Sequence, residues 1–137
     1  MNLTLYLVPA GHIIDVWEDV RPLLVSGLEN RDAEYSIDEL HEFLLSGQWK
    51  LCIAADSDDK IHGAAAISFI TYPNEHIAFV SSIGGRLIID ENTVTQFKTI
   101  LRKLGATRLQ GAVSEALARF YRRFDFERKA ILVEMSL

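Results

Sequence analysis

Residues 78–105 read AFVSSIGGRLIIDENTVTQFKTILRKLG, and the reading of this stretch decides the fold. An apolar strand, His76 to Ile83, runs into the paired glycines Gly84 and Gly85. After a short connection a helix opens near Asn92, with Val94, Phe97, Leu101 and Leu104 on its inner face. Arg102 and Lys103 fall in its last turn and Gly105 follows as a C-terminal cap. A strand, a pliable turn and a helix start in succession can hold an anion. The first amides of a helix have no intrahelical partner, and the dipole puts partial positive charge there. Ile83, Gly84, Gly85 and Arg86 with Asn92, Thr93 and Val94 are the residues such a site would use. The plain alternative is a strand-to-helix turn and nothing more.

Upstream, Tyr72 to Glu75 and the charged run DSDDK (56–60) are turns. They separate strands over Trp49 to Ala55, Ile61 to Ile70 and His76 to Ile83, an antiparallel meander. Gly63 marks a close backbone approach or a bulge. Ser36 and Glu39 form an S-x-x-E capping box, with Tyr35 and Leu40 placed for a hydrophobic staple. That helix buries Leu40, Phe43 and Leu44 and stops at Gly47. Before it, Ile13, Trp17, Val20, Leu24 and Leu28 share a helical face, interrupted by Pro22, where a kink or a fresh start is expected. Leu3 to Val8 is a first strand. Downstream, Arg108 to Val113 is a strand and Leu117, Phe120, Tyr121 and Phe124 mark a short helix. Lys129 to Met135 closes the chain as a strand. The order β-α-α-β-β-β-α-β-α-β predicts one mixed α/β domain over residues 1–137. Its central, mostly antiparallel sheet of about six strands carries helices on both faces.

The chain has 137 residues, enough for a real core, and is 49% hydrophobic and 24% charged, a globular composition. A net charge of −5 argues against a general nucleic-acid binder. The acidic residues Asp15, Glu18, Asp19, Glu29, Asp32 and Glu34 read as a solvated surface, or as an attraction for a cationic substrate. Cys52, the single cysteine, lies in the apolar run LCIAA and reads as a buried, inert thiol. No apolar run approaches the ~18 residues of a membrane span, and the first residues lack the marks of a signal peptide. A cytoplasmic chain with neither membrane nor nucleic acid as partner is expected.

The element order resembles the GNAT superfamily of acetyl-CoA-dependent N-acetyltransferases over nearly the whole chain. CIAADSDDKIHGAAAISF (52–69) is similar to the family's central hairpin, with a glycine early in its second strand. SEALARFYRRFDF (114–126) is similar to its late helix motif, N-x-x-A-x-x-L-Y-x-x-x-G-F: Tyr121 and Phe126 match, and Phe120 stands for the leucine. Ser114, Leu117 and Asp125 depart from it. The family's phosphate loop, Q/R-x-x-G-x-G/A, has no counterpart in SSIGGRLIIDENTV (81–94).

The resemblance implies acetyl-CoA as co-substrate, an amine on a small molecule or protein as acceptor, and Tyr121 as the acid that protonates the departing thiolate. It leaves room for a homodimer. Short chains of this type with Gly-Gly at the strand end also resemble phage-encoded members, some of them non-catalytic. A GNAT-like structural or partner-binding protein with a degenerate coenzyme site is therefore the second expectation. From the residues alone Tyr121 reads equally well as a core aromatic with its hydroxyl at the surface. No general base stands out among Glu75, His76 and His62. Ser81 and Ser82 read as solvated strand serines, or as substrate ligands. The basic tract Arg119, Arg122, Arg123, Arg128 and Lys129 answers the acidic first helix, or meets coenzyme phosphates. Hydrolase triads and metal clusters have no pattern here.

Overall fold

The computed structural model describes residues 1–31 and 34–137, and the side chains of all of these except Asn30 and Arg31. Asp32, counted above with the acidic residues, lies outside the described residues. Five strands form one sheet: β1 (Thr4–Val8), β2 (Lys50–Ala55), β3 (Ile61–Tyr72), β4 (Glu75–Gly85) and β5 (Arg108–Gly111). They lie side by side in chain order. β1 to β4 pair antiparallel, and β5 runs parallel to β4 because a helix carries the chain back between them.

The helices are α1 (Ile13–Arg31), α2 (Ile37–Leu45), α3 (Glu91–Lys103) and α4 (Glu115–Tyr121). Alternation along the strands divides the core into two layers. Leu51, Ile53, Ala64 and Ala66 meet Val20, Leu24, Leu40 and Leu44 of α1 and α2 on one face. Cys52, Ala54, Ala65 and Ile67 meet Val94, Phe97 and Leu101 of α3, with Phe124, on the other.

Pro22 does not begin a new helix; α1 runs through it from Ile13 to Arg31. Val20 and Leu24, on either side of the proline, are wholly buried, and that burial offsets the proline's cost of about 3 kcal/mol. The Ser36 capping box forms as its sequence predicts. Ser36 Oγ accepts from the Glu39 amide at 3.1 Å and Glu39 Oε1 accepts from the Ser36 amide at 3.1 Å. Gly47, at φ +78°, turns the chain out of that helix.

The sixth strand is not there. Lys129 to Met135 belongs to no strand, and its large apolar side chains stand in solvent. The pattern that predicted a strand is present, but β5 is only four residues long and stops at Gly111. Among the described residues nothing in this chain covers the apolar side chains of the segment. The observed order ends β-α-α-β-β-β-α-β-α.

Two bulges shape the sheet. In β4, Ser82 faces Ala66 and Val80 faces Ile67, so Ser81 is the extra residue. In β3, Gly63 faces Ala54 and Ile61 faces Ala55, so His62 is extra. A bulge bends its strand and raises the local twist.

Candidate functional site

β4 and β5 pair only from Ile77/Arg108 to Val80/Gly111. At that point β4 bulges at Ser81 and continues to Gly85, whereas β5 ends. The two strands therefore part, and α1 is held hard against the diverging half of β4. The Ser82 hydroxyl donates to the Leu24 carbonyl at 2.7 Å. A Cβ on Gly84 would lie 1.9 Å from the Leu23 carbonyl oxygen, and one on Gly27 2.3 Å from Ser82 Oγ. Only glycine allows so close a helix-to-strand approach.

On the opposite face, the parting of the strands opens into a groove of about 750 Å³ between β4, β5, α3 and α4. That is within the usual range of about 300–1,000 Å³ for small-molecule sites. Ile83, Ile88, Leu101 and Phe124 make its apolar wall, and Tyr121 stands in it half-buried. Burial pushes the Tyr121 hydroxyl above the ordinary tyrosine value of 10.0. The ring packs on Phe120 and Phe126 at centroid distances of 5.4 Å. Among the described residues no protein group hydrogen-bonds its hydroxyl, which leaves the proton for a ligand.

No family model matches the chain, and no relative among curated proteins matches it in sequence. Solved structures do match in shape. An aminoglycoside acetyltransferase from an uncultured soil metagenomic sample, in complex with sisomicin, superposes with a TM-score of 0.69 at 13% identity. The match covers 98% of this chain and 96% of that one. A second aminoglycoside acetyltransferase, also from an uncultured soil metagenomic sample, gives 0.68 at 12% identity over 100% and 99% of the two chains. An acetyltransferase of Trypanosoma brucei gives 0.63 at 13% over 99% and 100%. The chain has the fold of the GNAT-type acetyltransferases.

Within that fold the residues nominated from sequence separate into two places. Ile83 and Tyr121 come together in the groove. Gly84, Gly85, Arg86, Asn92, Thr93 and Val94 are not on its wall. Gly84 and Gly85 are the last residues of β4, facing Ala64 and Gly63, and their lack of side chains serves backbone approach. The Arg86 amide donates to the His62 carbonyl at 2.8 Å. At the start of α3 the Thr93 amide is taken by the Asp90 carboxylate at 2.8 Å, and the Val94 amide by the Asp90 carbonyl at 3.1 Å. Thr93 and Val94 are buried and Asn92 is exposed. A carboxylate already occupies the positive end of the helix dipole.

The candidate bases are engaged elsewhere in this GNAT-type sheet. Glu75 accepts from Thr107 Oγ1 at 2.8 Å and from Arg108 Nε at 3.1 Å, and the Thr107 hydroxyl first, then Arg108, holds its carboxyl below the usual range. His76 Nδ1 shares a hydrogen bond with Thr71 Oγ1 at 2.9 Å, and its ring stacks on Phe69. His62, the bulged residue of β3, meets Asp56 at 2.7 Å, and that bond is the main reason the Asp56 carboxyl is lowered. Ser81 and Ser82 are buried rather than solvated; Ser81 donates to Ser68 Oγ at 2.9 Å. Cys52 is fully buried and its thiol is pushed up to about 12 by desolvation.

The basic tract divides. Arg123 lies over the Phe120 ring at 5.1 Å and Arg128 pairs with Glu115 at 2.9 Å, while Arg128 and Lys129 border the groove. Sequence reasoning missed Lys98 and Arg102, which line the groove from α3. They sit four residues apart in QFKTILRK, a spacing that puts both on one helix face. Among the described residues, no three His, Cys, Asp or Glu side chains gather as a metal site, and no helix is long and apolar enough to cross a membrane.

Proposed function

We propose that this chain is an N-acyltransferase that binds an acyl-coenzyme A in the groove and passes its acyl group to an amine. One observation carries the reading: β4 and β5 part at the Ser81 bulge beside Tyr121, whose hydroxyl is protonated, half-buried and unpartnered. The coenzyme would supply an activated thioester. Ile83, Ile88 and Leu101 receive its apolar arm. The backbone of β4 beyond the bulge, where no β5 residue faces it, offers amides to the developing oxyanion. Tyr121 holds the proton for the leaving sulfur. Its raised pKa keeps that proton in place at neutral pH; transfer to the departing thiolate, whose thiol has a pKa near ~8.5, is uphill in pKa, and the proton lost by the attacking amine restores the phenol and completes the exchange.

Phosphates would be met by Lys98, Arg102 and Lys129 rather than by the first turn of α3, where Asp90 resides. The aminoglycoside-modifying neighbours support a polyamine as the first acceptor to try, and the exposed acids Asp15, Glu18 and Asp19 of α1 suit a cation. Isothermal titration with acetyl-CoA tests the reading. Saturable heat that is lost when Lys98 and Arg102 are both replaced by alanine is expected. Neither heat nor a thermal shift at millimolar ligand would reject it, and would leave a GNAT-like binding protein.

A further inference from the structure

The gap between the parted strands is open on two sides. Val80, Ile83 and residues 111–114 line the groove on the α3 face, and the same residues line a second, smaller pocket on the α1 face. That pocket is about 50 Å³, room for roughly four water molecules. Gly27 of α1 forms its floor. A Cβ there would lie 2.7 Å from the Ile83 amide nitrogen, so glycine keeps the β4 backbone bare on this side. Val113 and Leu117 stand at its rim, 42% and 38% exposed. Its two hydroxyls are already engaged: Ser82 donates to the Leu24 carbonyl at 2.7 Å, and Ser114 Oγ accepts from the Leu117 amide at 3.3 Å. Among the described residues, none of its walls carries a charge.

We infer that this pocket is the throat through which the acceptor enters, and that it selects a primary amine borne on an unbranched alkyl stem. A linear polyamine and a lysine side chain share that end. The inference deepens the acyl-transfer reading and rests on it. Width is the first reason. A stem of single carbons passes where an amine set directly on a ring must bring the whole ring beside its nitrogen. Polarity is the second. Each hydroxyl of a sugar-like acceptor would be stripped of water beside serines that are already engaged, and burial of an unpaired polar group is costly. Charge is the third. Apolar walls disfavour an ammonium and lower the pKa of an amine that enters. The neutral nucleophile then forms without help from Glu75, His76 or His62, which are held elsewhere. A second ammonium has to stay outside the throat, so several carbons must separate it from the reacting nitrogen. On entry the ammonium gives one proton to solvent. Its nitrogen bonds to the thioester carbon, the C–S bond breaks, the sulfur takes the Tyr121 proton, and the proton shed by the nitrogen returns to the phenol.

Two amines of equal carbon number, n-hexylamine and cyclohexylamine, separate shape from polarity. With saturating acetyl-CoA, kcat/KM should be at least about tenfold higher for n-hexylamine. Leu117 lines this pocket and not the coenzyme groove, and alanine suits the helix it sits on. Leu117→Ala should bring the ratio down to about threefold or less, while the acetyl-CoA Kd from titration stays within about twofold. Spermidine and Nα-acetyl-lysine amide should both outrun cyclohexylamine, and the faster of the two marks the source of the stem. The inference alone is overturned if acetyl-CoA binds but cyclohexylamine is acylated as fast as n-hexylamine, or if neither is acylated. It is also overturned if the ratio is unmoved in a Leu117→Ala protein whose circular dichroism matches the wild type. Absence of saturable heat with acetyl-CoA overturns the acyl-transfer reading and this inference with it.

Discussion

In the proposed acyl transfer, Tyr121 is the residue on which the chemistry turns. Replacing it with phenylalanine keeps the ring contacts with Phe120 and Phe126 and removes only the hydroxyl. We expect kcat for acyl transfer to fall about 10²–10⁴-fold with KM little changed, as for loss of a general acid, and steady-state kinetics with a chromogenic thiol reagent would show it. The pH profile sharpens the test. The acid must be protonated to donate and burial raises its pKa, so kcat should hold through neutral pH. It should decline only above the ordinary value of 10.0, and that alkaline limb should be missing in the variant. Gly84 illustrates a residue whose role is steric. Gly84→Ala drives a methyl into the Leu23 carbonyl and should destabilise the fold by about 1–3 kcal/mol or more, read as a lower denaturant midpoint.

Among the elements, α2 was the most legible, because its capping box and its apolar stripe both lie within nine residues of chain. α3 was half legible. Its apolar face could be read, and Asn92, Thr93 and Val94 could be named as its start, but the reciprocal cap between Asp90 and Thr93 was not read from the sequence. The D-x-x-T spacing before a periodic run was the available signal. Asp90→Asn keeps the cap, since asparagine caps as well as aspartate, and removes the charge. If coenzyme phosphates lie near this turn after all, the variant should bind acetyl-CoA about two- to fivefold more tightly by titration, at unchanged Tm. If they sit at Lys98 and Arg102, the affinity should not move. The bulge at Ser81 was not legible, because it is defined by the register of β4 against β3 and no property of VSSIG fixes that register. The last strand shows the converse: its pattern was readable, but a strand also needs an edge, and the edge is not encoded in the strand.

Across the whole molecule, a few polar ties fasten distant segments. Glu75 at the β3–β4 turn binds Thr107 and Arg108 at the start of β5, which holds the parallel pair together below the point where it parts. Its folded pKa is depressed, so the stabilisation is complete above the ordinary glutamate value of 4.5 and is lost as pH falls through the lower folded value. Thermal melts of the wild type and Glu75→Gln should therefore differ at neutral pH and converge in acid. At the other border of the sheet, the Gln96 side chain of α3 accepts from the Leu5 amide at 2.9 Å and donates to the Leu3 carbonyl at 3.0 Å. That one amide occupies a donor and an acceptor on the outer rim of β1, which blunts strand addition there. A sheet with one rim blunted cannot add strands freely on both sides, whereas one with two open rims goes on to fibrils. Gln96→Ala should give the chain its second rim, and light scattering should then rise without limit as concentration increases, where the native protein reaches a plateau.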